Sequence, residues 1–304
     1  MGHRLSKQNE KNHQLPARKG SLKPENGSKY VDCTNHNYFE PLDDEELHRL
    51  QAQHFLLRLI QHGNFNVPLK KTLSLGNTKV LDVGCGSGTW ILDMATDYPQ
   101  SSFTGLDMST LFPTQIRPVN VSFIQQNVLE GLAASDNTFD FIHQRFLSGS
   151  FTTSQWEKIV IPELTRVVKH EGWIELVEND AMLENVGTVG KRLCDGLIQV
   201  FQKRNMDGMI AKRLPSILES TNMYSEISKV ETEVPLGKWA GDIGLLALKD
   251  MTAFFSAIKH QMVEEMQISF SEFDGLLAEF TQEVEEFKTI RRIHCIYAKK
   301  SHVA

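Results

Sequence analysis

The 304-residue chain is poor in several features that would assign a protein quickly. It has four cysteines, Cys33, Cys85, Cys194 and Cys295, too far apart for metal-ligand spacing. That speaks against a disulfide framework and a cysteine-based metal centre, and it fits a reducing compartment, the cytoplasm or alternatively the nucleus. No apolar run approaches the length of a bilayer span, and no secretory apolar segment opens the chain. No Gly-Lys-Ser/Thr follows a glycine-rich turn, which excludes a Walker-type phosphate loop. Basic charge is scarce after the start. Seven Lys/Arg stand against Glu10 and Glu25 up to Lys29, yet the whole chain carries a net charge of −6. A body this acidic argues against a broad nucleic-acid surface.

What is present is concentrated in Lys79-Val80-Leu81-Asp82-Val83-Gly84-Cys85-Gly86-Ser87-Gly88-Thr89-Trp90. The stretch reads as a buried strand running into a glycine turn that opens a helix. The helix start presents amide N–H groups to whatever lies in the turn. Dinucleotide turns want G-x-G-x-x-G, and the third glycine of that pattern would fall at Thr89. Asp82, at the strand end, would repel a pyrophosphate and attract a cation. The next strand, Ser102-Phe103-Thr104-Gly105-Leu106-Asp107, brings a second carboxylate to a neighbouring tip, where it can accept from ribose hydroxyls. A third strand ends in Asn127 and Val128, placed to meet an adenine by hydrogen bond and by packing. S-adenosylmethionine, with an ammonium, a sulfonium and no phosphate, fits this pattern better than NAD.

These motifs resemble those of class I S-adenosylmethionine-dependent methyltransferases. The resemblance implies that Asp82, Gly84, Gly86 and Gly88 surround the methionine part, with Cys85 a small residue beside them. It assigns Asp107 to the ribose, Asn127 and Val128 to the adenine, and adds Met108 and Gln144 to the cofactor set. That family often has Asp where Asn127 stands. The resemblance also implies a Rossmann-like α/β fold: a seven-stranded, mostly parallel sheet in the order 3-2-1-4-5-7-6 with helical cap insertions. Strands are expected at about 79–83, 102–107, 121–126, 138–143, 172–178, 226–234 and 291–298. Markers such as Tyr38-Phe39-Glu40-Pro41, Phe141-Ile142-His143-Gln144-Arg145 and Pro235-Leu236-Gly237-Lys238-Trp239 are similar to a fungal methyltransferase group that includes the velvet-complex regulator of secondary metabolism.

A helix over 38–62, with Asp43 as N-cap and Glu46 closing a capping box, precedes the first strand. Covering a sheet edge is its expected role, ahead of direct ligand contact. The fourth strand delivers His143, Gln144 and Arg145, and the fifth delivers Glu178. His143 and Glu178 are the catalytic candidates, against the alternative of structural hydrogen bonds at strand ends. Arg145 either holds an acidic substrate or pairs with a neighbouring carboxylate. Two segments, 183–224 and 240–288, form either a lid over the strand tips or helical padding. No metal is expected. Residues 1–37 read as a disordered basic tail before a methyltransferase domain over 38–304. The tail's Met1-Gly2-x-x-x-Ser6 pattern matches an N-myristoylation site that, if used, gives weak membrane contact. The acceptor, a small molecule or a protein, is not named by the sequence. The alternative function is a cofactor-binding regulator that works through protein partners.

Overall fold

The computed structural model describes residues 44–113 and 115–301 with their side chains, and the backbone of 22–25 and 28–31. Inside the segment expected to be unstructured, β1 (Leu22–Glu25) and β2 (Ser28–Val31) pair antiparallel. Composition argues for disorder there, but Tyr30 and Val31 are strand formers, and a four-residue register is enough for a hairpin. Asp43 and the Gly2 acylation pattern lie outside the described residues.

Helix α1 (Asp44–Ile60) leads into α2 (Lys70–Leu75), β3 (Lys79–Val83), α3 (Thr89–Asp97), β4 (Ser102–Asp107), β5 (Val121–Gln125) and β6 (Phe139–Arg145). A continuous helical stretch follows, α4 (Thr153–Gln155), a π-helical turn and α5 (Ile161–Val167), and then β7 (Val168–Asn179). The rest is α6 (Thr188–Lys203), α7 (Ile210–Ser220), β8 (Tyr224–Pro235), α8 (Gly241–Ala257), α9 (Lys259–Met266), α10 (Phe270–Phe287) and β9 (Ile290–Lys300). The large sheet has the order β5-β4-β3-β6-β7-β9-β8, and β9 runs antiparallel to both neighbours. This is the expected topology, with all seven expected strands present.

Period-two alternation sends successive side chains of each strand to opposite faces. Val80 and Phe141 pack with Trp90, Ile91 and Met94 of α3, whereas Leu81, Val83 and Ile142 pack with Trp156, Leu164 and Leu214 on the other face. A third core holds the cap together. There Leu193, Leu197 and Phe201 of α6 meet Met251 and Phe255 of α8 and Phe273, Phe280 and Val284 of α10. Phe273, Leu276, Leu277, Phe280 and Val284 of α10 recur at helical spacing and face this core, whereas Phe287 is exposed. One acid of α10 is not simply solvent-facing. Glu283 accepts from the Val189 and Gly190 amides and so caps the N-terminal turn of α6.

α1 is clamped between the sheet layer and the cap. Asp93 on α3 accepts from Arg58 and pairs with His54 Nε2 at 3.0 Å. Burial lowers the His54 pKa to about 4. Glu46 is buried against the Arg49 guanidinium. Cys85, Cys194 and Cys295 are buried free thiols. No described helix is long and apolar enough to cross a membrane.

Candidate active site

The glycine turn after β3 is held by sheet groups on one side. The amides of Gly84 and Cys85 both donate to the Leu106 carbonyl, at 2.7 and 3.0 Å. Gly84, Gly86 and Gly88 all have positive φ, +72, +52 and +75°. A side chain at Gly84 would come within 2.7 Å of Leu147, and one at Gly88 within 2.7 Å of Phe123. At Gly86, by contrast, an added Cβ would meet only Leu50, at 3.7 Å. The middle of the turn therefore fronts open space, a cradle that a Cβ would begin to fill. Burial raises the pKa of the Cys85 thiol, so it remains a small neutral side chain in that wall.

Two carboxylates stand beside the turn. Asp107, at the tip of β4, accepts from the Gly86 amide through Oδ2 and from Ser109 N and Oγ through Oδ1. These bonds fix its rotamer and leave carboxylate lone-pair capacity. Burial raises its pKa, and the Ser109 and Gly86 bonds oppose that shift. Asp82 accepts from His143 Nδ1 at 2.8 Å, the carboxylate holding that nitrogen's proton. The His143 ring in turn stacks flat on Trp90, with centroids 3.8 Å apart and planes 4° apart. Trp90 is itself pinned by its Nε1–H to the Asn64 carbonyl. His143 makes no other hydrogen bond among the described residues. Packing thus locks its ring, and Nε2 is left for the cleft that His143 lines.

The cleft continues as a second pocket over the tips of β4 and β5. Gly84, Asp107 and Leu147 border both, and Met108, Asn127, Val128 and Phe151 line the second. Val128 is buried and packs with Leu106. Asn127 Oδ1 accepts from the Leu129 amide at 3.0 Å, capping a short 3-10 turn. The oxygen expected to meet an adenine amino group is therefore already engaged once.

Three of the expected site residues, Gly88, Gln144 and Glu178, are not brought to the cleft, Gly88 being packed against Phe123. Gln144 is fully buried, lines neither pocket, and has no hydrogen-bond partner for either amide atom among the described residues. The reason is strand alternation: His143 and Arg145 face the cleft, so Gln144 between them faces away. Glu178 is also fully buried and outside the cleft wall. Its two oxygens accept from the amides of Leu147 and Ser148, so it anchors the loop after β6 that borders both pockets.

Burial raises the Glu178 pKa to about 8. An unfolded glutamate gives up its proton near its ordinary value of 4.5, so folding takes up a proton between those limits. Its contribution to stability is then full below pH 4.5 and is lost as pH rises through 8. Replacing Glu178 by Gln should remove a slope of about 1.4 kcal/mol per pH unit from the folding stability. Urea unfolding of both proteins at several pH values across that window measures it. The comparison with wild type cancels the opposite slope of His54, whose low folded pKa favours the native state as pH rises.

Sequence reasoning left the inserted helices open between lid and padding and named no residue of the far wall as part of the site. Arg49, Leu50 and Gln53 of α1 line the cleft, as do Leu197 and Phe201 of α6 and Met251, Phe254 and Phe255 of α8. α1 is thus part of the site, beyond covering an edge, and the inserted helices form a cap over it. Asp250 on α8 gathers Gln53, Arg49 and Arg291 around one carboxylate. The signal available was Arg291, a cation in phase with buried Ile293 and Cys295 along β9.

The family described as a methyltransferase domain matches residues 80–172. The N-methyltransferase sirN of Leptosphaeria maculans is 25% identical over 280 residues, 88% of this chain and 96% of that protein. The secondary metabolism regulator LAE1 of Cochliobolus heterostrophus is 30% identical over 160 residues, 51% of this chain and 50% of that protein. Among solved structures, a putative methyltransferase from an antibiotic biosynthesis pathway of Anabaena variabilis matches with a TM-score of 0.51. It shares 15% identity and covers 82% of this chain and 99% of its own, a likeness of fold.

Proposed function

We propose that this chain, which belongs to the class I S-adenosylmethionine-dependent methyltransferases, methylates a nitrogen of a small molecule with His143 as general base. The observation that carries the reading is the Asp82–His143 pair, 2.8 Å apart and locked on Trp90 in the cleft wall. The residues present suit the donor. Gly84 and Gly86 offer bare backbone to its methionine part, with Asp82 to meet the ammonium. Asp107 is held ready for ribose hydroxyls, and Met108, Asn127 and Val128 surround the adenine pocket.

When bound, S-adenosylmethionine supplies a methyl group already activated by the sulfonium, so the protein must supply position, dryness and proton removal. Asp82 holds His143 in the tautomer protonated at Nδ1, which leaves Nε2 basic toward the cleft. An amine acceptor that arrives protonated needs such a base. Helices α1, α6 and α8 exclude water from the acceptor side. This roof favours a small molecule over a protein surface, and the similarity to an N-methyltransferase favours nitrogen. Buried free thiols fit a cytoplasmic setting.

The test is incubation of the purified protein with methyl-labelled S-adenosylmethionine and fungal extract, followed by separation of proteins from small molecules. Label is expected in the small-molecule fraction, on nitrogen. Label confined to protein, or none at all, contradicts the proposal.

A further inference from the structure

Three arginines, Arg49, Arg145 and Arg291, line the acceptor side of the cleft together with Asp180, and two of the three are underused. Arg145, two residues beyond His143 on the same strand face, lines the cleft. Among the described residues it makes no hydrogen bond or ion pair, and its only close partner is the Phe146 ring. The carboxylates that act on it through space, Asp82, Glu175 and Asp250, make their hydrogen bonds to other groups, and none forms an ion pair with it. Asp82 holds His143, Glu175 accepts from the Asn66 and Val67 amides, and Asp250 is surrounded by Gln53, Arg49 and Arg291.

Arg291 adds a second guanidinium from β9. It is only 4% exposed and lines the same cleft. Its Nη1 donates to Asp250 at 3.2 Å, while Nε and Nη2 are buried with no partner among the described residues. Buried donors without acceptors are costly and call for an explanation. The two guanidinium carbons lie 6.0 and 5.9 Å from the centroid of one ring, that of Phe146. That residue holds a left-handed backbone, φ +56°, sparsely populated for a non-glycine residue and typical of strained functional sites. Arg145, Phe146 and Arg291 are therefore one preformed unit.

We infer that Arg145 and Arg291 receive an oxyanion of the methyl acceptor, a carboxylate or a phosphate, and so orient the acceptor in the cleft. Guanidinium forks match such groups with paired, charge-assisted hydrogen bonds. Asp107, beside the glycine turn, repels an anion, so the charge pattern favours the oxyanion toward Arg145 and Arg291 and the nucleophilic nitrogen toward His143. The inference rests on the methyltransferase reading and narrows it to an amphoteric or anionic acceptor.

The test uses the full chain saturated with S-adenosylhomocysteine. Phenylacetate, phenyl phosphate and neutral phenylacetamide are titrated by calorimetry into wild type and Arg145→Gln. This substitution removes no hydrogen bond found among the described residues. At least one acid should bind wild type roughly 10-fold tighter than the amide, the stronger acid identifying carboxylate or phosphate, and Arg145→Gln should abolish the preference. Equal binding of acid and amide, no binding of either acid, or a preference that survives Arg145→Gln overturns the inference. Failure to bind S-adenosylhomocysteine would instead undo the methyltransferase reading itself. As a second readout, labelled methyl products from extract should carry a carboxylate or phosphate by mass spectrometry. Recovery of label only in products that lack both counts against the proposal.

Discussion

Asp107→Ala is expected to weaken S-adenosylmethionine binding roughly 100-fold, the largest effect on affinity of any single change in the cleft. A carboxylate that accepts from two ribose hydroxyls contributes about 1.5–3 kcal/mol per charged hydrogen bond. Losing the group forfeits those bonds and also frees the Gly86 amide and Ser109, which Asp107 ties to the tip of β4. Asp107→Asn keeps the size and one acceptor oxygen, so its loss should be smaller. Calorimetric titration of the three proteins, with thermal unfolding as a check on folding, measures the series. An unchanged affinity in Asp107→Ala would show that the ribose lies elsewhere.

The second large effect is expected on turnover. Removing the base at His143 should slow methyl transfer by about 10²–10⁴-fold while donor affinity changes only a few-fold. Two replacements separate chemistry from packing. His143→Phe keeps a ring on Trp90 but leaves Asp82 without its partner, whereas His143→Gln keeps a donor for Asp82 and loses the stack. The stack is worth about 0.5–1.5 kcal/mol, small beside the rate effect. The only property both variants lack is a proton-accepting imidazole, so a shared loss of turnover assigns the role. A protein that bound the donor but acted through partners would feel Asp107→Ala and be indifferent to both His143 variants.

The donor half of the site was legible because it is local. Asp82, the three glycines and Asp107 lie within one strand–turn–helix–strand unit, where spacing alone fixes which residues reach the same strand ends. The strand order was implied by the family resemblance, and the structure has it. The phase at a strand end was not legible in this way. His143, Gln144 and Arg145 are consecutive, and only the sheet decides that the middle one turns away into the packed face. Glu178 was misread because nothing in its own segment shows that the chain after β6 folds back over it, a path set by the left-handed Phe146.

The acceptor half was hidden by distance in sequence. Arg49 and Asp250 meet across 201 residues, and Arg291 joins them from the last strand. No periodicity links such positions, although a cation in the buried phase of β9 marked one of them. Glu283 caps α6, a contact set by how α6 and α10 pack and therefore invisible in either segment alone. The short hairpin of β1 and β2 escaped a reading based on composition for a similar reason: pairing depends on partner strands more than on average polarity.

Every role assigned above requires that the glycine cradle and its two carboxylates hold a cationic methyl donor. Calorimetric titration of the wild-type chain with S-adenosylmethionine, S-adenosylhomocysteine and NAD tests that claim most directly. Saturable one-site heats are expected for the first two and none for NAD. Heat from NAD alone, or no heat from S-adenosylmethionine with a folded sample, would contradict it.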